Sequence, residues 1–159
     1  MQSHTGTITL FAVIIFLSSA LVLVLEMVAA RLIAPFVGVS LYSWTAIIGT
    51  VLAGLSIGNW IGGVMADRNA SQRSAGFVLL AASASAFLIL LILPRIAEPI
   101  QTSELSLAGS SLALTMALFF LPALLLGIVT PLLTTLALQH SQRTGHIIGM
   151  MHALAALGS

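Results

Sequence analysis

The sequence predicts an all-α membrane protein, a polytopic helical bundle with four complete spans and part of a fifth. Hydrophobic residues make up 59% of the 159 residues and charged residues only 6%, against roughly 25% charged residues in soluble domains. The mean hydropathy is +1.17. Five basic and four acidic side chains cannot cover a protein of this size with a polar surface, so lipid must be the solvent for much of it.

The chain forms a single transmembrane domain, residues 1–159, in which prolines, glycines and charges separate the spans. The first span covers residues 8–30. Arg31 and Pro35 predict its end, because proline cannot donate the backbone hydrogen bond that a continuing helix needs. The second span covers residues 45–66, ahead of a charged loop.

The third span covers residues 75–93, and Pro94 with Arg95 predicts its end. The fourth span is longer, at residues 107–138. Three residues that favour kinks interrupt it: Pro122, Gly127 and Pro131. Such breaks are tolerated in a membrane only where they face protein or water, so this helix is expected in the bundle interior.

The fifth apolar segment covers residues 146–159 and is short. At ~1.5 Å per residue it reaches only about 20 Å, whereas the hydrocarbon core is roughly 30 Å thick. We therefore expect a partial span. Either it is a half-helix buried against a protein partner or a second copy, or the sequence is a piece of a longer chain.

The arginines predict the orientation. Arg68, Arg73 and Arg143 lie on one predicted side, whereas Arg31 and Arg95 share the other side with two glutamates. Basic loops favour the cytoplasm, so the N-terminus is predicted to be cytoplasmic, in a cell inner membrane. The absence of lysine and of any basic tract argues against a nucleic-acid partner.

A glycine stripe marks the second span. Gly54, Gly58 and Gly62 recur every four residues and so share one helix face. Small residues at this spacing let another helix backbone approach closely. We interpret the stripe as a helix-packing surface.

Glu26 is the most informative single residue, because an ionisable group inside apolar sequence is costly and usually faces a partner or a cavity. Arg31 is the nearest base, but five residues correspond to about 140° of helix rotation, which makes a direct pair awkward. Two alternatives stay open for Glu26. It pairs with an arginine of another helix, or it faces a cavity as a cation or proton site, with Arg31 as a second candidate contact.

The end of the second span carries a candidate cytoplasmic latch. Gly63, Asp67 and Arg68 place an acid and a base behind a glycine, where they could bridge neighbouring helices. The alternative is a charged loop that only fixes topology.

No metal, cofactor or catalytic site is predicted. His140, His146 and His152 are six residues apart, which separates successive rings around a helix, whereas neighbouring ligands need a spacing of three or four. We expect His152 to be a hydrogen-bonded interior group. The sequence has no cysteine and no nucleophile or phosphate-loop motif.

Several segments together resemble one family of membrane proteins. They are residues 25–35 with Gly38, residues 52–60 with the Gly-Gly and Asp-Arg pairs that follow, residues 120–127 with 130–132, and the glycine-containing segment 144–159. In this order they resemble the transmembrane part of the membrane-bound spermidine-synthase-like proteins, in which a major-facilitator-like helical domain is fused to a soluble aminopropyltransferase domain. Residues 63–68 are also similar to the cytoplasmic loop motif of major facilitator transporters, although Ala70, Ser71 and Gln72 depart from it.

The resemblance implies a major-facilitator-like half-bundle without the soluble catalytic domain, so this chain should not make spermidine. It also implies that the last helix continues. The first functional hypothesis is therefore a non-catalytic membrane anchor or transport-like module for a polyamine or other small cation. The alternatives are a structural subunit of a larger membrane complex, and the membrane portion of an aminopropyltransferase whose catalytic domain is encoded separately.

Overall fold

The computed structural model describes residues 2–141 and 143–159, and all regular structure in these ranges is helical. The helices are α1 (Gln2–Val37), α2 (Leu41–Asn69), α3 (Gln72–Gln101), α4 (Leu107–Leu138) and α5 (Thr144–Gly158). Each of α1 to α4 is long and apolar enough to cross a membrane. The 15 residues of α5 extend only about 22 Å. The predicted all-α membrane bundle is confirmed, with four long apolar helices and a shorter fifth.

The first helix continues beyond the proline that the sequence predicts as its end. Pro35 lies inside α1, where its fixed φ fits the helix and only one backbone hydrogen bond is lost. The last turns are held by tertiary packing, since Ile33 and Val37 are buried in the core. Gly38 ends the helix with a φ of 74°, a conformation that glycine adopts without strain.

The third helix likewise passes through Pro94 and reaches Gln101. Ala97, one turn beyond this proline, is fully buried. Packing of this extension against the core outweighs the donor that proline removes. Residues 94–101 therefore extend the helix rather than form the predicted loop.

Serine side chains fix the starts of three helices. Ser40, Ser71 and Ser106 each occupy the N-cap, and each hydroxyl accepts a hydrogen bond from the backbone N–H three residues later. The N···O distances are 3.2, 3.1 and 3.2 Å, respectively. These bonds satisfy donors that the first helical turn leaves free. Each cap therefore fixes the residue at which its helix begins.

The centre of the bundle is α4, which contacts α1, α2, α3 and α5. Its buried residues contribute to both core clusters, one towards each end of the bundle. Leu114 and Leu118 pack in the first, and Leu132 and Leu136 in the second.

A polar pair links α2 to α4 inside the core. The hydroxyls of Thr50 and Thr115 lie 3.1 Å apart, and Thr115 Oγ1 also lies 2.9 Å from the Ser111 carbonyl of its own helix. Both threonines are at most 1% exposed. In an apolar setting such a pair holds two helices in one register.

We expect Thr115→Val to lower the free energy of unfolding by about 1 kcal/mol, the typical size of an interhelical hydrogen bond in a membrane protein. Unfolding by SDS titration, followed by tryptophan fluorescence, measures the change. Thr45→Val is the matched control because Thr45 is exposed at the start of α2. An equal effect of the two variants would show that the buried pair contributes nothing.

Candidate functional site

A cavity of about 690 Å³ lies among α1, α2, α4 and α5. Apolar side chains form part of its wall, but all four helices also present polar groups to it. These side chains are Ser18, Ser19, Asn59, Thr130, Thr134, Thr135 and His152. These groups need hydrogen-bond partners, because an unsatisfied polar group between membrane-spanning helices is costly.

Helical periodicity brings these residues to one place. Leu55 and Asn59 line the cavity from α2, and Thr130 and Thr134 line it from α4. Each pair is four residues apart and therefore shares a helix face. Pro131, between the two threonines, also forms part of the wall.

The hydrogen bonds distinguish the cavity from the rest of the interior. Of the five buried polar residues, four have hydrogen bonds: Thr50 bonds Thr115, while Ser43 and Ser111 donate to backbone carbonyls at 2.9 and 2.8 Å. Ser18 is only 3% exposed and has no hydrogen-bond partner in the described part of the chain. Its hydroxyl lines the cavity. Because no buried side-chain oxygen or nitrogen in the described residues lacks a partner, this hydroxyl is open to the cavity, where a water molecule or a ligand can bond it.

Glu26 does not line this cavity. Ser18, Val22 and Glu26 follow one another at intervals of four residues on α1, and the first two form part of the wall. Glu26 therefore lies one helical turn beyond Val22, about 6 Å further along the axis and turned by about 40° around it. No ion pair of Glu26 is found among the described residues, so pairing with an arginine of another helix is not seen within residues 2–141 and 143–159.

Comparison with protein-family models, with curated proteins and with solved structures finds no match to this chain.

Arg31 is remote from the cavity. It is exposed and lines a small recess with Gly38, Ser43 and Trp44 where α1 turns into α2. The structure thus does not bring together the two residues that the sequence suggested as joint substrate or ion contacts.

The glycine stripe of α2 lies against α4. A Cβ atom on Gly54 would lie 2.9 Å from Ala123 Cβ, and one on Gly62 would lie 2.6 Å from the Ile128 carbonyl oxygen. Between these two glycines, a Cβ atom on Gly58 would overlap with the carbonyl oxygen of Leu124. The two backbones are therefore in direct contact along the stripe.

The three residues of the candidate latch are not joined to each other. A Cβ atom on Gly63 would meet nothing within 4 Å. Asp67 and Arg68 are exposed at the end of α2, and neither makes an ion pair with any described residue. Close packing at this end comes from Gly62 instead. A latch remains a hypothesis that would need another partner.

The three histidines have separate surroundings. His140 Nδ1 lies 2.8 Å from the Leu136 carbonyl oxygen at the end of α4, and its ring packs edge-on against Phe11. His152 was expected to be a hydrogen-bonded interior group, which is wrong, since it is exposed on the wall of the cavity without a hydrogen bond to the described residues. No group of three metal-ligating side chains is found in the described part of the chain.

Sequence reasoning missed the hydroxyl groups of the cavity. Serine and threonine are common in membrane helices, and those of the cavity are spread from Ser18 to Thr135. One local signal was available: the segment 130–135 places three threonines and a proline on two turns of one helix. Their common position could be recognised only after the four helices had been packed together.

Proposed function

We propose that this chain is a non-catalytic, transport-like membrane module that binds a small cationic molecule, of polyamine type, in the cavity among α1, α2, α4 and α5. The observation that carries this proposal is the Ser18 hydroxyl, which has no hydrogen-bond partner among the described residues and opens to the cavity although the residue as a whole is only 3% exposed. A structural interface would be expected to satisfy or omit such a group. A binding site leaves it for the ligand.

The position of Glu26 supports a cationic ligand. The other acidic residues lie near helix ends or in a loop, at Asp67, Glu98 and Glu104. Glu26 is eleven residues before the last residue of α1, Val37, or about 16 Å along the axis. A carboxylate at this depth, one helical turn from the cavity wall, attracts positive charge strongly because the surroundings are apolar.

The same proposal includes the major-facilitator-like character of the bundle and its relation to the membrane part of spermidine-synthase-like proteins. Its support is the resemblance of the sequence segments and a cavity that is lined by α1, α2, α4 and α5. We also propose an inner-membrane location with a cytoplasmic N-terminus. Arg68 lies in the last turn of α2, Arg73 in the first turn of α3 and Arg143 directly before α5, all at the bundle end where α1 begins.

We expect Glu26→Gln to weaken the binding of radiolabelled spermidine by roughly tenfold or more, since a charge-assisted contact is replaced by a neutral one. Equilibrium binding to the protein in lipid nanodiscs measures this. Glu104→Gln removes the same charge from the exposed α3–α4 connection and should leave the affinity within about twofold, because solvent and salt screen that position.

Two results would contradict the proposal. Absence of saturable spermidine binding to the unmodified protein would refute a polyamine ligand. Equal losses in the two glutamate variants would show that only the overall charge matters and would remove Glu26 from the site.

A structural subunit is the second candidate, and the exposed face of α5 favours it. Gly145 and Gly149 meet nothing within 4 Å, and Ala153 continues their spacing on an exposed face. Such a face suits another helix. Saturable spermidine binding by the protein when it is monomeric in nanodiscs would decide against this second role as the sole function.

A further inference from the structure

Pro131 frees a backbone acceptor in the wall of the cavity. Proline has no N–H, so the carbonyl of Gly127, four residues earlier in α4, lacks the hydrogen bond that closes a helical turn. No side chain of the described residues donates to it either. Both Gly127 and Pro131 line the cavity.

Gly127 can contribute only main-chain atoms to this wall. It also lies where α4 contacts the backbone of α2, because a Cβ there would lie 2.7 Å from the Leu55 carbonyl oxygen. No side chain of residue 127 therefore stands between the ligand space and the backbone. Helix α4 continues through Pro131, but a main-chain carbonyl without its helical donor is an oxygen acceptor of the kind with which membrane transporters hold cations at unwound segments.

The neighbouring groups are also acceptors. The hydroxyls of Thr130 and Thr134 flank Pro131 on the same wall, and Ser18 faces the space from α1. Among the described residues, no arginine, aspartate or glutamate side chain lines the cavity. Several oxygen acceptors without a fixed cation match a ligand group that carries both positive charge and several N–H donors.

We propose that the Gly127 carbonyl, freed by Pro131, binds a primary ammonium group of the ligand, with the hydroxyls of Thr130 and Thr134 as further acceptors. This inference rests on the proposed function and adds the chemical class that the site selects. It distinguishes a primary ammonium from a quaternary one, which has the same charge but no N–H. The Glu26 carboxylate attracts either ammonium group. Only the primary ammonium can donate a hydrogen bond to the Gly127 carbonyl.

Pro131→Ala restores the missing N–H and so tests the carbonyl directly. We expect spermidine to bind the unmodified protein roughly tenfold more tightly than fully N-methylated spermidine, the difference of about one charge-assisted hydrogen bond. In Pro131→Ala the affinity for spermidine should fall to near that of the methylated compound, whose own affinity should barely change. Equilibrium binding in nanodiscs measures both ligands.

Pro122→Ala is the matched control. Pro122 frees the carbonyl of Leu118 in the same helix, but Leu118 is 2% exposed and Pro122 belongs to the apolar groove between α1, α3 and α4. This variant should keep the preference for spermidine. Thermal unfolding of each variant verifies that the bundle is intact.

The outcomes distinguish a failure of the proposed function from a failure of the role assigned to the Gly127 carbonyl. If neither ligand binds the unmodified protein, the proposed function fails. If both bind with equal affinity, the function stands and the carbonyl is not the selective group, whatever the variants do. If Pro131→Ala keeps the preference, or Pro122→Ala loses it equally, the inference is overturned as well.

Discussion

Replacing Gly58 with alanine should destabilise the bundle by about 3 kcal/mol, the upper part of the range for overpacking a tight interior. A Cβ atom at this position would overlap with the carbonyl of Leu124 and would lie 3.1 Å from Gly127 Cα. Both contacts are backbone, so no side chain can rotate away. The helices must separate, and the Thr50–Thr115 hydrogen bond on the same interface would be strained with them.

Gly63→Ala provides a control in the same helix. Nothing lies within 4 Å of the added carbon, and alanine favours a helix over glycine by up to about 1 kcal/mol. The two variants should therefore change stability in opposite directions. SDS titration in micelles, followed by tryptophan fluorescence, gives both values. A Gly58→Ala protein as stable as Gly63→Ala would show that α2 and α4 are further apart than described.

Replacing Gly158 with leucine should weaken spermidine binding by roughly tenfold or more, because it displaces one wall of the cavity. A Cβ atom there would lie 2.5 Å from the Phe16 carbonyl oxygen and 2.9 Å from Ser19 Cβ. Only α1 and α4 hold α5 in place. The helix should therefore move away from α1 while the four longer helices remain packed.

Gly149→Leu is the corresponding control, since a Cβ atom there would meet nothing within 4 Å and residue 149 is exposed. It should retain spermidine affinity. Hydrogen exchange of the α5 amides reports the displacement independently, and faster exchange is expected in Gly158→Leu alone. Unchanged affinity together with faster exchange would show that α5 is not needed to form the site.

Hydropathy alone predicted the helical bundle, because uninterrupted apolar segments of sufficient length have few alternatives in lipid. The ends were less predictable. Pro35 and Pro94 look like stop signals, yet buried residues beyond them, such as Val37 and Ala97, extend both helices. Tertiary packing overrides the local signal, and a single sequence does not show which residues will be buried.

The glycine stripe illustrates the same limit at the site. Its spacing predicted a packing face on α2, but not that Gly127 of α4 would be opposite Gly58. Glu26 attracted attention because charge in an apolar segment is rare, whereas Ser18, without charge, did not. The cavity depends on contacts among four helices, so its residues could be grouped only in three dimensions.

The central position of α4 has a consequence for biogenesis. Among the described residues, α1 makes few contacts with α2 and fewer with α3, whereas all the other helices meet α4. Since α4 follows them in the chain, the first three helices enter the bilayer before their main packing surface exists. Insertion and assembly are therefore separate events in time. Until α4 emerges from the ribosome and translocon, the glycine face of α2 remains open to other helices in the membrane.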